Sequence, residues 1–140
     1  MNQQIVDHFA SSAKTALATG EMLAEEISCA ARSMLDTLDN GGKLLLCGNG
    51  GSATDAMHFS AELLVRFLKE RKALPAIALV SDTATLTATG NDYAFDQIFS
   101  RQLEALATPG DHLVVITTSG NSPNILNAVK ASQATGGMKI

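Results

Sequence analysis

At 140 residues and 46% hydrophobic composition, the chain is long enough for one domain with a real core. Its formal net charge of −4 is spread along the sequence with no strongly basic segment, so the electrostatic footprint that grips a nucleic-acid backbone is missing. Aromatic residues are 4% of the chain and include no Trp, which argues against bases stacked on rings and for a small polar ligand.

The first residues, Met1-Asn2-Gln3-Gln4-Ile5-Val6-Asp7, hold no basic stretch leading into an apolar core. No apolar run reaches the ~18 residues of a membrane span, so a cytoplasmic protein is expected. From Ile5 to Leu38, Phe9, Leu17, Leu23, Ile27, Met34 and Leu35 recur at helical spacing, broken only near Thr19-Gly20. One long helix or two consecutive ones are predicted. Cys29 and Cys47 lack metal-ligand spacing and are too few for a disulfide framework, so both read as buried thiols.

Asn40-Gly41-Gly42 closes the helical region, and Lys43-Leu44-Leu45-Leu46-Cys47 follows as a strand buried on both faces. Residues 53–69 return to helical spacing, and Pro75-Ala76-Ile77-Ala78-Leu79-Val80 forms a second buried strand. Helices are predicted over 83–89 and 95–106. Pro109-Gly110-Asp111 turns into a third strand over 112–117, a last helix covers 123–134, and Met138-Lys139-Ile140 begins a fourth strand. Strands of continuous apolar character alternating with helices predict an α/β fold: a mostly parallel sheet with helices on both faces and right-handed crossovers. Ligands of such sheets bind at the carboxyl ends of the strands.

Two strand-to-helix loops carry the informative chemistry. In Cys47-Gly48-Asn49-Gly50-Gly51-Ser52, glycines let backbone N–H groups approach a ligand, and the helix start adds positive dipole, which suits a phosphate or sugar oxygens. Ser52 and Asp55 have capping-box spacing. The second loop, Thr117-Thr118-Ser119-Gly120-Asn121-Ser122-Pro123, offers hydroxyls at a helix start, with Ser122 as N-cap and Pro123 at the first helical position. A bare tight turn would explain the glycines of the first loop equally well. A structural cap would explain Ser122 but not the hydroxyls before it.

His58 and Glu62 lie four residues apart on the helix after the first loop, hence on one face. They suit two metal ligands, an acid/base pair, or an ordinary solvated ion pair. Asn91-Asp92, near the end of the helix after the second strand, suits sugar hydroxyls or a simple turn. His8 and His112 read as structural.

Taken in order, Cys-Gly-Asn-Gly-Gly-Ser, Asp-Ala-Met-His-Phe-Ser-Ala-Glu, Leu-Pro-Ala-Ile-Ala-Leu, Gly-Asn-Asp-Tyr, Phe-Ser-Arg-Gln and Thr-Ser-Gly-Asn-Ser-Pro-Asn-Ile resemble the phosphoheptose isomerases of the sugar isomerase (SIS) superfamily over essentially the whole chain. The resemblance implies a flavodoxin-like three-layer sandwich formed by a single SIS domain over 1–140, with a long N-terminal helical region. It implies conversion of sedoheptulose 7-phosphate to D-glycero-D-manno-heptose 7-phosphate, a step toward ADP-heptose for lipopolysaccharide or other surface glycans, by a cytoplasmic homotetramer with sites between subunits.

Carried over residue by residue, Asn49, Gly50, Gly51, Ser52, Asn91 and Asp92 would contact substrate, and Thr117, Thr118, Ser119 and Ser122 would hold its phosphate. Glu62 would be the catalytic base and, with His58, a ligand for one zinc per subunit. The family's sheet continues past the point matching residue 140, and a later helix supplies a Gln and a His without counterparts here. The chain is therefore expected to lack C-terminal strands and a helix, and with them half of the metal and acid/base set.

Two other readings compete. One is a non-catalytic SIS-domain regulator that binds sugar phosphates, or a replication-initiation adaptor; Glu62 favours the enzyme. The other is a Rossmann dinucleotide domain through Gly48, Gly50 and Ala53, weakened because Asp82 comes too late for a ribose ligand.

Overall fold

A computed structural model describes residues 1–140. In chain order it contains α1 (Asn2–Asp39), β1 (Leu44–Gly48), α2 (Gly51–Leu64), β2 (Ala76–Ala78), α3 (Thr83–Asp92), a 3₁₀ turn (Phe95–Gln97), α4 (Ser100–Leu106), β3 (His112–Ile116) and α5 (Pro123–Ala134). The chain divides into two compact units, Met1–Ser33 and Met34–Ile140.

The first unit is helix throughout. Gly20 does not interrupt it: a glycine inside a helix costs about 1 kcal/mol relative to Ala, too little to end a run of this length. Thr19 Oγ1 instead donates to Thr15 O within the helix. Phe9, Leu17 and Met22 are all more than two-thirds exposed. Cys29, expected buried, is exposed in the same stretch, because the apolar spacing around it is not covered within this unit.

In the second unit the sheet order is β2-β1-β3, all parallel, with Leu44 opposite Ala76 on one side and His112 on the other. Central β1 is buried at every residue. Side chains alternate along a strand, so Leu45 and Cys47 enter one core with Leu79, Phe99, Leu103, Leu113 and Ile125. Leu44 and Leu46 enter another with Ala56 and Ala76, flanked by Met34, Leu38 and Phe59. Helices thus cover both faces, and each fully buried leucine is worth roughly 1.5–3 kcal/mol. Burial also pushes the Cys47 thiol up to about 12.

The second strand is shorter than its apolar run. Leu79 still donates its N–H to Leu46 O, but the chain turns there, and Ile77 on this sheet edge is 38% exposed. Helix α2 ends at Leu64 instead of 69, where the Arg71 guanidinium donates to the carbonyls of Glu62 (2.7 Å) and Leu63 (2.8 Å). A basic side chain on the last carbonyls is a helix stop that local spacing does not reveal. The span 95–106 is not one helix but the 3₁₀ turn followed by α4. Of the expected fourth strand, Lys139 bridges His112 in parallel.

Asp111 ties β3 to β1. Its buried carboxylate accepts from Lys43 N (3.0 Å) and Nζ (2.6 Å) and from Thr108 N (2.7 Å) and Oγ1 (2.9 Å). Burial alone would raise its pKa. The bonds from Lys43 and Thr108 outweigh that and hold it below the ordinary carboxylate value.

Candidate active site

β1 and β3 are neighbours, so the loops leaving their carboxyl ends lie side by side. The first loop follows from Gly48. A Cβ there would stand 2.5 Å from Ser52 O and 2.8 Å from Ser52 Cβ, so only glycine lets α2 start this close to the strand. Gly50 then takes φ 56°, ψ −121°, a backbone region that L side chains rarely adopt, and occupies the N-cap position. Ser52 is therefore already inside α2, and the capping box read from Ser52 and Asp55 does not form. The helix closes through Ser52 N to Asn49 O and Ala53 N to Gly50 O, with Gly50 and Gly51 exposed at its tip.

In the second loop Gly120 sits at φ 67°, and two hydroxyl oxygens turn inward on the backbone. Thr117 Oγ1 accepts from Gly120 N and Ser119 Oγ from Asn121 N, each at 3.2 Å. A hydroxyl has one donor besides its lone pairs, so both O–H groups can still point at an anion. Ser122 occupies the N-cap position of α5 with Pro123 behind it, yet its side chain makes no capping bond. The cap expected from sequence is a backbone one, through Ser122 O accepting from Leu126 N. Thr118 and Ser119 are exposed and Ser122 is half-buried.

His58 Nε2 and Glu62 Oε1 are 3.0 Å apart. A carboxylate oxygen accepts, so this contact calls for a hydrogen on His58 Nε2. Glu62 is one-third exposed and His58 largely so. Both line an open groove of about 390 Å³ with Asp55, Phe59, Phe67 and Ile116. Ile116 is the last residue of β3, immediately before the hydroxyl loop, so the carboxylate and that loop share a neighbourhood.

Two donors do not close a zinc centre, which takes three or four protein ligands. No group of three or more His, Cys, Asp or Glu side chains is assembled anywhere in the chain. The residues present do not complete such a site.

Asn91 and Asp92 end α3, hydrogen-bonded to each other at 2.8 Å, and do not line the groove. A larger cleft of about 700 Å³ runs between Ile77, Asp82, Thr85, Arg101 and Leu106 and shares no residue with the groove. Its Asp82 caps α3 by accepting from Ala84 N and Thr85 N, the task of a helix start and not of a ribose ligand.

Sequence reasoning missed Asn124. It is 2% exposed and pairs with Asn49 in both directions, Asn49 Nδ2 to Asn124 Oδ1 at 2.9 Å and Asn124 Nδ2 to Asn49 Oδ1 at 2.8 Å. The residue sits in the quoted run Asn-Ser-Pro-Asn-Ile, but a partner 75 positions away leaves no local signal.

The chain is similar to proteins already known. The SIS domain family matches residues 7–140. The phosphoheptose isomerase of Thiobacillus denitrificans is 52% identical over 134 residues, covering 96% of this chain and 68% of that protein. That of Shewanella loihica is 54% identical over 132 residues, covering 94% and 67%. Among solved structures, a phosphoheptose isomerase from Francisella tularensis superposes with TM-score 0.93 at 48% identity, and one from Neisseria gonorrhoeae with 0.90 at 47%. Each covers 98% of this chain, which spans 71% of either structure.

Proposed function

Because this chain belongs to the SIS domain family and, within it, to the phosphoheptose isomerases, we propose that it interconverts sedoheptulose 7-phosphate and D-glycero-D-manno-heptose 7-phosphate in the cytoplasm. The product would feed ADP-heptose and surface-glycan synthesis. The observation that carries the reading is a carboxylate, Glu62, in a groove walled by the residue that precedes the hydroxyl loop.

An aldose–ketose isomerisation moves one proton between adjacent carbons through an enediol. Glu62 takes the proton from C1 of the ketose and returns it to C2. The proton lost from one sugar hydroxyl is regained at the neighbouring oxygen. His58, donating to Glu62 Oε1, orients the carboxylate. Thr117, Thr118, Ser119 and Ser122 hold the 7-phosphate, which fixes which carbons meet the base. Gly50, Gly51 and Ser52 bring backbone donors to the sugar oxygens, where charge develops. Asn91 and Asp92 contact sugar hydroxyls once substrate is bound.

Ser122→Ala should weaken binding of the phosphorylated sugar by about 1 kcal/mol, one lost hydrogen bond, read as a KM increase of several-fold. An equal loss with the unphosphorylated sugar would show that Ser122 does not bind phosphate.

The proposal extends to a homotetramer with sites between subunits and to one zinc per subunit, with His58 and Glu62 giving two donors and the rest coming from outside these residues. Uncovered Phe9, Leu17 and Met22 support association. Native mass spectrometry reads both points. Four chains carrying zinc support them, and a metal-free monomer contradicts them.

A further inference from the structure

Asn49 leaves the end of β1, and Asn124 stands in the first turn of α5. Their amides close a reciprocal pair at 2.9 and 2.8 Å across the space between the two loops. The pair has a fixed sense. Ile125 N–H also donates to Asn124 Oδ1, at 3.0 Å. A backbone N–H must meet an oxygen, so the Asn124 amide has one orientation, and the reciprocal bonds then set Asn49. With two donors on it, Asn124 Oδ1 has both lone pairs filled. Asn124 is buried and forms no wall of the His58–Glu62 groove.

On the reading of the site proposed above, we infer that Asn124 is a positioning residue: it latches the hydroxyl loop to the glycine-rich loop. The Asn49 side chain is held in that latch by one donated and one accepted bond. The residues on either side of the latch are those assigned to substrate, Gly50 and Gly51 on one strand end and Thr117, Thr118, Ser119 and Ser122 on the other. Two loops that must hold one ligand bind it best when their separation is set before the ligand arrives. An isolated loop of glycines and hydroxyls has no such constraint.

The test is a double-mutant cycle on the full chain, with Asn49→Ala, Asn124→Ala and both together, assayed for isomerisation of sedoheptulose 7-phosphate. Each single variant should raise KM about tenfold, the effect of roughly one hydrogen-bonded pair, with kcat moving less because Glu62 is not displaced. The double variant should be no worse than the weaker single, because either change alone already opens the latch. Losses that multiply would mean that Asn49 acts on substrate by itself, and would overturn the inference.

Amide hydrogen exchange without substrate keeps this question separate from the identity of the reaction. Asn49→Ala should speed exchange at residues 118–121, and Asn124→Ala at residues 50–52. If Asn124→Ala fails to fold, Asn49→Ala, at a half-buried loop position, still reads the coupling. Unchanged exchange in the opposite loop would overturn the latch even if the protein proved to act on another sugar.

Discussion

Glu62→Gln should lower turnover of sedoheptulose 7-phosphate by about 10²–10⁴-fold, the usual contribution of a positioned general base, while leaving substrate affinity close to that of the parent. Gln matches Glu in size, and its side-chain oxygen can still accept from His58 Nε2, now 3.0 Å from Glu62 Oε1. The groove keeps its shape, and both loops keep their backbone and hydroxyl donors. What disappears is the carboxylate assigned to take the proton from C1. Steady-state kinetics read the loss in kcat, and direct titration with the substrate reads the retained affinity. Turnover within a few-fold of the parent would remove Glu62 from its role as base. A parallel collapse of affinity would make it a substrate ligand instead.

The second large effect is expected at Gly48. An added Cβ there meets Ser52 O at 2.5 Å, its carbonyl carbon at 2.7 Å and its Cβ at 2.8 Å. These are backbone and near-backbone atoms that no rotamer change can move aside. Gly48→Ala therefore has to push the first turn of α2 off the strand, and overpacking of this kind costs typically about 1–3 kcal/mol. The displaced turn carries Gly50, Gly51 and Ser52, so affinity for the phosphosugar should fall together with the urea midpoint. Gly51→Ala is the matched control for stability. A Cβ there meets nothing within 4 Å and φ is not positive, so its unfolding free energy should stay within about 1 kcal/mol of the parent. Equal stability of the two variants would show that the close approach of strand and helix is not what requires glycine at 48.

Where the sequence speaks through periodicity, it speaks plainly. The unbroken run Leu44-Leu45-Leu46-Cys47 predicts a strand buried on both faces, and β1 is the fully buried centre of a parallel sheet. Both strand-to-helix loops are legible because glycine and hydroxyl clusters directly follow strands. Element ends are less legible, since they are set by contacts made elsewhere. Arg71 stops α2 from seven residues beyond its last turn, and Ile77 is left half-open because it falls on a sheet edge. Ser52 does not cap, although its spacing to Asp55 is correct, because Gly50 has already opened the helix.

The candidate site divides in the same way. His58 and Glu62 are found by i, i+4 spacing alone, and the structure brings them to 3.0 Å. Asn49 is found as part of a glycine-rich loop, but its amide turns out to face Asn124, a buried partner on another helix. No local pattern distinguishes that asparagine from the exposed Asn121 three residues earlier. Cys29 shows the converse error: its apolar neighbours suggest burial, yet they lie on a stretch of helix left uncovered within its own unit.

The central claim is proton transfer between C1 and C2 of a heptose 7-phosphate, and isomerisation in D₂O followed by NMR tests it most directly. Incubation with sedoheptulose 7-phosphate should yield D-glycero-D-manno-heptose 7-phosphate carrying solvent deuterium at C2, because an enediol is reprotonated by a carboxyl that exchanges with water. No aldose product, with the substrate shown to bind, would contradict the assignment of this chain as an isomerase.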